Sequence, residues 1–167
     1  MGQLLKHFLF LIIIFMSVNS FALPDDSNKA MQIHASSTLF NFKKGFNVYD
    51  GDVKVTQGST RLTADKLTTQ NNDTHKMEEA IAYGFQNPAH YWTLPKAGDV
   101  EFHAQAKVIT FYPLKSLVKL EGDVVITQGN NSFHGPIILY NIKDQTVTSP
   151  ASNKGRATIV IDPNQLK

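Results

Sequence analysis

Gly51-Asp52-Val53-Lys54-Val55-Thr56-Gln57-Gly58 is written a second time in this chain, as Gly122-Asp123-Val124-Val125-Ile126-Thr127-Gln128-Gly129. Each copy alternates apolar with polar residues and ends in glycine, the period-two pattern of a half-buried strand. Upstream, His34-Ala35 leads through Phe40 to the first copy, and His103-Ala104 leads through Phe111 to the second. On that alignment 34–58 and 103–129 form an internal repeat with a two-residue insertion, and His34 is equivalent to His103. A unit of short strands cannot bury its apolar face alone, so repeated units stack and share one core. Each Gly-Asp reads as a turn, glycine supplying positive φ and aspartate bonding the turn backbone. The duplication predicts an elongated all-β structure rather than an enzyme built around a unique pocket.

The same alternation runs outward from these blocks. Leu39–Phe42, Leu62–Ala64, Lys107–Phe111, Ser116–Leu120 and Ile138–Ile142 all follow it. Lys76–Ala82 is the best helical stretch, but it is short and uncapped and also reads as a strand. Turn signals recur at short intervals, among them Lys43-Lys44-Gly45, Gly58-Ser59, Asn71-Asn72-Asp73, Asn87-Pro88 and Lys143-Asp144-Gln145. The pattern predicts roughly fourteen to sixteen short antiparallel strands in a meander or jelly roll.

The N-terminus has a different composition. Lys6 precedes the apolar run Phe8–Val18, and Ser20-Phe21-Ala22 supplies small residues at a cleavage site. Residues 1–22 therefore read as a cleaved signal peptide. Residues 23–30 read as a disordered lead-in, and 31–167 as one domain. Without Lys6 the formal charge falls from +2 to about +1. Lysine and arginine are scattered singly, which disfavours nucleic acid as a partner. The chain has no cysteine, so disulfides and thiolate chemistry are excluded. No nucleophile elbow, zinc motif, phosphate loop or dinucleotide fingerprint occurs. The five histidines beyond the leader (34, 75, 90, 103, 134) lack metal-ligand spacing. No enzymatic activity, metal or cofactor is expected.

Gly51–Gly58 followed by Leu62-Thr63-Ala64-Asp65-Lys66 resembles the OstA-like domain. Tyr83–Ala89, Leu120–Val124 and the tail Lys154-Gly155-Arg156 to Leu166 extend the likeness over about Met31 to Leu166. They make the chain similar to the LptA family of periplasmic lipopolysaccharide-transport proteins. That resemblance implies a twisted, open antiparallel β-jellyroll of V-shaped section, with an apolar interior that holds the acyl chains of lipid A. It also implies head-to-tail protomers that join LptC-like and LptD-like partners across the periplasm.

One parity of each strand is then the expected trough lining: Ile33, Phe40, Val53, Val55, Tyr91, Ile109, Phe111, Val124, Ile126, Ile138 and Tyr140. Among these, Ile33, Tyr91, Ile109 and Phe111 align with positions on the family's lipid path. Ordinary packing between facing sheets is the alternative role for each. Lys54, Arg61 and Lys107 are candidate contacts for lipid A phosphates. Met31, Ile33, Thr158 and Val160 lie on the expected terminal strands, where an open edge templates another chain. Two rival functions stay open. One is a periplasmic scaffold that binds only proteins by strand addition. The other is a β solenoid that binds surface polymers, which would want rows of exposed aromatics.

Overall fold

In a computed structural model, described here over residues 28–95 and 98–165, the chain is antiparallel β structure. The expected signal peptide and most of the lead-in lie outside those residues. The strands are β1 (Gln32–His34), β2 (Ser37–Asn41), β3 (Phe46–Gln57), β4 (Thr60–Asn71), β5 (Met77–Tyr83) and β6 (Ala89–Thr93). They continue as β7 (Phe102–Ala106), β8 (Val108–Tyr112), β9 (Leu117–Gln128), β10 (Asn131–Asn141), β11 (Thr146–Thr148) and β12 (Thr158–Val160). The helix-or-strand stretch around Lys76–Ala82 is a strand, β5.

The twelve continuous strands among the described residues are fewer than the fourteen to sixteen expected. The difference lies in β3, β4, β9 and β10, which are long and cross from one leaf of the sheet to the other. The first leaf contains β2, β5, β8 and β11 with the Phe46–Asp50, Lys66–Asn71, Leu117–Glu121 and Ile137–Asn141 segments of the long strands. The second contains β1, β6, β7 and β12 with the Val53–Gln57, Thr60–Ala64, Val124–Gln128 and Asn131–Gly135 segments.

The Gly-Asp pairs read as turns are instead bulges within strands. Gly51 and Asp52 have φ of 78° and 45°, Gly122 and Asp123 of 78° and 51°. The ladder shifts register between Asp50 and Val53, and again opposite the Gly135–Ile137 step. An extra residue in one strand bends it and raises its twist. Glycine is required there twice over, because a Cβ on Gly51 would lie 2.9 Å from the Ser36 Cβ and one on Gly122 2.9 Å from the Lys107 Cβ. The carbonyls of Gly51 and Gly122 accept the N–H groups of Ser36 and Lys107, at 2.8 and 2.9 Å. Those two residues sit at the breaks between β1 and β2 and between β7 and β8.

These pairings also correct the repeat. Ile33 lies opposite Val55 and Ala104 opposite Ile126; Phe40 lies opposite Asn47 and Phe111 opposite Val118. The spacing between equivalent residues is therefore constant, with no insertion. His34 corresponds to Gln105, and His103 to Gln32. The sequence alignment slipped by two residues, which period-two alternation cannot detect because it leaves every side chain on the same face.

A third corner joins β5 to β6. There the Asp65 carboxylate, opposite the first bulge, accepts the N–H groups of Gln86 at 2.8 Å and Phe85 at 2.5 Å. Donation from Gln86 first, and then from Phe85, holds its pKa below the ordinary aspartate value. The resulting stabilisation is complete above the unfolded-chain pKa and is lost as pH falls through the lower folded value. Asp65→Asn is expected to melt below the parent at neutral pH, with the gap closing as both are acidified past the aspartate range. Thermal melts followed across that range check it, and a gap that stays constant with pH contradicts the charge-based account.

Candidate functional site

Cross-strand neighbours align into apolar rungs on the facing surfaces of the two leaves. In the second leaf one rung runs Ile33, Val55, Leu62, Tyr91, Ala104, Ile126, Phe133 and Ile159. In the first leaf, Leu67, Ala82, Ile109, Leu120 and Ile138 form one rung. Ala80, Phe111, Val118, Tyr140 and Val147 form the next. Val53 and Val124 occupy equivalent places beside the two bulges. All eleven residues expected to line the trough therefore share the inner surface.

They are not equally accessible. Val53, Val55, Ile109, Val124, Ile126, Ile138 and Tyr140 are buried in one continuous core. Ile33, Tyr91 and Phe111 are partly buried against it. Phe40 is 49% exposed and stacks on Phe42, itself 84% exposed, with ring centroids 5.9 Å apart. The inner surface thus passes from a packed centre to an open aromatic lip at β2.

Phe102 was not singled out from sequence, yet it is central. It belongs to the second leaf and stacks on Tyr140 of the first, with centroids 4.2 Å apart and planes within 15°. Tyr91 meets Phe102 edge-on at 6.3 Å. This contact draws the leaves together, and burial raises the pKa of the Tyr140 hydroxyl. The alternation Phe102-His103-Ala104-Gln105-Ala106 marks a strand, but not that its first residue spans the gap. The equivalent places in the first repeat are held by Met31 and Thr69, so that half has no aromatic clasp.

The terminal strands are edges of the sheet. β1 and β2 pair only with β3, and β11 and β12 only with β10. Met31 is 39% and Val160 52% exposed; Thr158 is exposed and Ile33 partly so. The β2 edge, with Leu39 56% exposed, was not anticipated.

The three candidate cations are differently placed. Lys54 lies on the outward face and pairs with Asp52 at 3.0 Å. Lys107 pairs with Asp123 at 2.6 Å. Arg61 donates to the carbonyls of Gly58 and Thr60, at 2.6 and 2.8 Å. Tyr91 and Trp92 point to opposite faces because neighbours in a strand alternate, so they form no flat aromatic row. Among the described residues no group of histidine and carboxylate side chains is arranged to hold a metal.

A family model described as LptA/(LptD N-terminal domain) LPS transport protein matches residues 32–146. The lipopolysaccharide export system protein LptH of Pseudomonas aeruginosa is 33% identical over 137 residues, 82% of this chain and 74% of that protein. LptA of Escherichia coli K12 is 26% identical over 152 residues, 90% of this chain and 80% of that protein. Among solved structures, LptH, the LptA-homologous periplasmic component of the lipopolysaccharide transport device of P. aeruginosa, gives a TM-score of 0.76 at 29% identity. The match covers 84% of this chain and 100% of that one.

Burial separates packing from access. Ile126→Ala, at a site with no exposure, is expected to cost about 2–5 kcal/mol of stability. Phe40→Ala, at the half-exposed lip, is expected to cost less than about 1 kcal/mol. Urea unfolding midpoints of the two variants check the ordering.

Proposed function

Because this chain belongs to the LptA/(LptD N-terminal domain) family of lipopolysaccharide transport proteins, we propose that it carries lipopolysaccharide across the periplasm with the acyl chains held between its two leaves. The observation that carries this reading is the apolar inner surface, whose second-leaf rung runs from β1 to β12 and whose packed first-leaf core meets the exposed aromatic lip through Tyr49.

Each CH₂ removed from water contributes about 0.8 kcal/mol, so several acyl chains cannot cross an aqueous gap uncovered. An apolar surface made of repeated, similar rungs covers them without one deep well. Neighbouring positions then differ little in energy, and a chain can move from rung to rung. Phe40, Phe111, Tyr91 and Ile33 are the first contacts in this reading, since they are accessible with the leaves closed. Val53, Val55, Ile109, Val124, Ile126, Ile138 and Tyr140 join when cargo parts the leaves at the Phe102–Tyr140 stack. The sequence contains no nucleotide-binding motif, and the relatives are transport proteins rather than enzymes. The chain acts as a carrier, and the work comes from a partner.

The edges supply the assembly. β1 with β2 forms one open end and β11 with β12 the other. Pairing of unlike ends is heterologous and extends without closing. It yields a head-to-tail row of protomers whose rungs continue one another, with an LptC-like partner and an LptD-like partner capping the row. Thr158 and Val160 pair their backbone groups with His134 and Ser132 of β10, which leaves the Ile159 N–H facing the open edge. Ile159→Pro removes that edge donor and is expected to abolish concentration-dependent association while the melting temperature stays near the parent's. Sedimentation velocity reads the outcome, and unchanged association speaks against pairing through β12.

A photo-crosslinking residue at Phe111 tests the carrier reading, with one at Lys119 as the outward control. Adducts with lipopolysaccharide are expected at Phe111 and not at Lys119, and they should persist against excess phospholipid. Equal labelling at both positions, or none, favours a scaffold that binds only proteins.

A further inference from the structure

The two repeats solve the same corner differently. In the first, Asp65 lies opposite the bulge and its carboxylate gathers the N–H groups of the link between β5 and β6. In the second, the equivalent place in β10 is Pro136, between Gly135 and Ile137 where the register shifts. Proline offers no carboxylate. The link it faces, residues 149–157 between β11 and β12, is longer than that between β5 and β6 and carries Lys154-Gly155-Arg156.

At this corner the structure has an open cleft of about 370 Å³. It is lined by Lys154, Gly155 and Arg156 from the link, by His134 and Pro136 from β10, and by Asp123 from the bulge. Asp123 is the one acidic side chain in the lining, and the Lys107 ammonium occupies it at 2.6 Å. Neither Lys154 nor Arg156 has an ion-pair partner among the described residues. The cleft therefore has two uncompensated cations where the first repeat has a built-in carboxylate.

We propose that this cleft binds a phosphoryl anion through Lys154 and Arg156, either a phosphate of the cargo headgroup or a free phosphate. Two positive charges two residues apart suit a dianion better than a single carboxylate. The arginine fork can grip two oxygens while lysine adds a point charge. Val125 and His134 in the cleft's lining share the cross-strand row of Lys54, so the cleft opens on the outward side of the corner, away from the apolar rungs. Lys54 and Lys107, expected to meet phosphates, are already paired with aspartates. The cargo as source rests on the carrier reading; the anion site itself does not.

The test uses the mature chain labelled with ¹⁵N and titrated with inorganic pyrophosphate at constant ionic strength. Saturable shifts are expected at the amides of Gly135, Gly155 and Arg156. The double variant Lys154→Gln/Arg156→Gln should bind roughly tenfold more weakly or worse, whereas Lys119→Gln should match the parent. No saturable shift, or equal binding by the double variant, overturns the site. A second arm measures capture at a Phe111 crosslinker of intact and phosphatase-treated lipopolysaccharide. Loss by the double variant of capture of the intact form, but not of the treated one, assigns the anion to the cargo. Equal capture of intact lipopolysaccharide by parent and double variant overturns the cargo as source and leaves free phosphate as the ligand. Absent capture by the parent overturns the carrier reading and with it the cargo source, while the pyrophosphate arm still decides the anion site.

Discussion

A long strand that must turn a corner without losing its ladder is the constraint on which this structure depends. β3 and β9 each meet it with a glycine and an aspartate at positive φ, and the hydrogen bonds resume in register on the far side. The bend divides one sheet into two leaves and turns their apolar surfaces toward each other. Without it, the alternation would produce a flat sheet with an uncovered apolar face, and such a sheet packs poorly and aggregates. The breaks between β1 and β2 and between β7 and β8 fall beside the bulges because the short strands cannot follow the bend. Their N–H groups at Ser36 and Lys107 bond the bulge carbonyls instead.

That solution also leaves the ends open. A closed barrel removes its edges, but two leaves joined at a corner keep β1, β2, β11 and β12 unpaired on one side. The exposed Leu39, Phe40 and Phe42 at one end and Ile159, Val160 and Ile161 at the other would be a liability in an isolated domain. In the row of protomers proposed above, they would continue the same surface from one molecule to the next. The two repeats are not equal in this respect. Phe102 on Tyr140 holds the leaves together in the second repeat, and the first has Met31 and Thr69 at those places, with no such stack. The same asymmetry recurs at the corners, where Asp65 is answered by Pro136.

Much of the inner surface was legible because alternation assigns a face once a strand is recognised. Ile33, Val55, Tyr91 and Ile126 fall on one rung, and parity alone predicts that they share a side. Parity carries no information about depth. It could not distinguish Phe40, half exposed, from Ile126, fully enclosed, since depth depends on what the opposite leaf supplies. It could not reveal the two-residue slip in the repeat, which preserves every face. Nor could it identify Phe102 as the residue that spans the gap, or show that Lys54 and Lys107 are committed to aspartates on the outside.

By itself, the sequence determined that this is an all-β repeat with one apolar face, stabilised without cysteines. Those properties follow from periodicity, composition and glycine placement, which act over a few residues. Tertiary structure alone decided that Gly51-Asp52 and Gly122-Asp123 bend strands rather than end them. A bulge and a turn begin with the same local backbone preference, and only the partner strand continuing past the glycine separates the two. That choice turned about fourteen to sixteen expected short strands into twelve, with four long ones shared between two leaves. It also set which inward residues lie at the lip and which at the centre, because the angle between the leaves is fixed by contacts far apart in the chain.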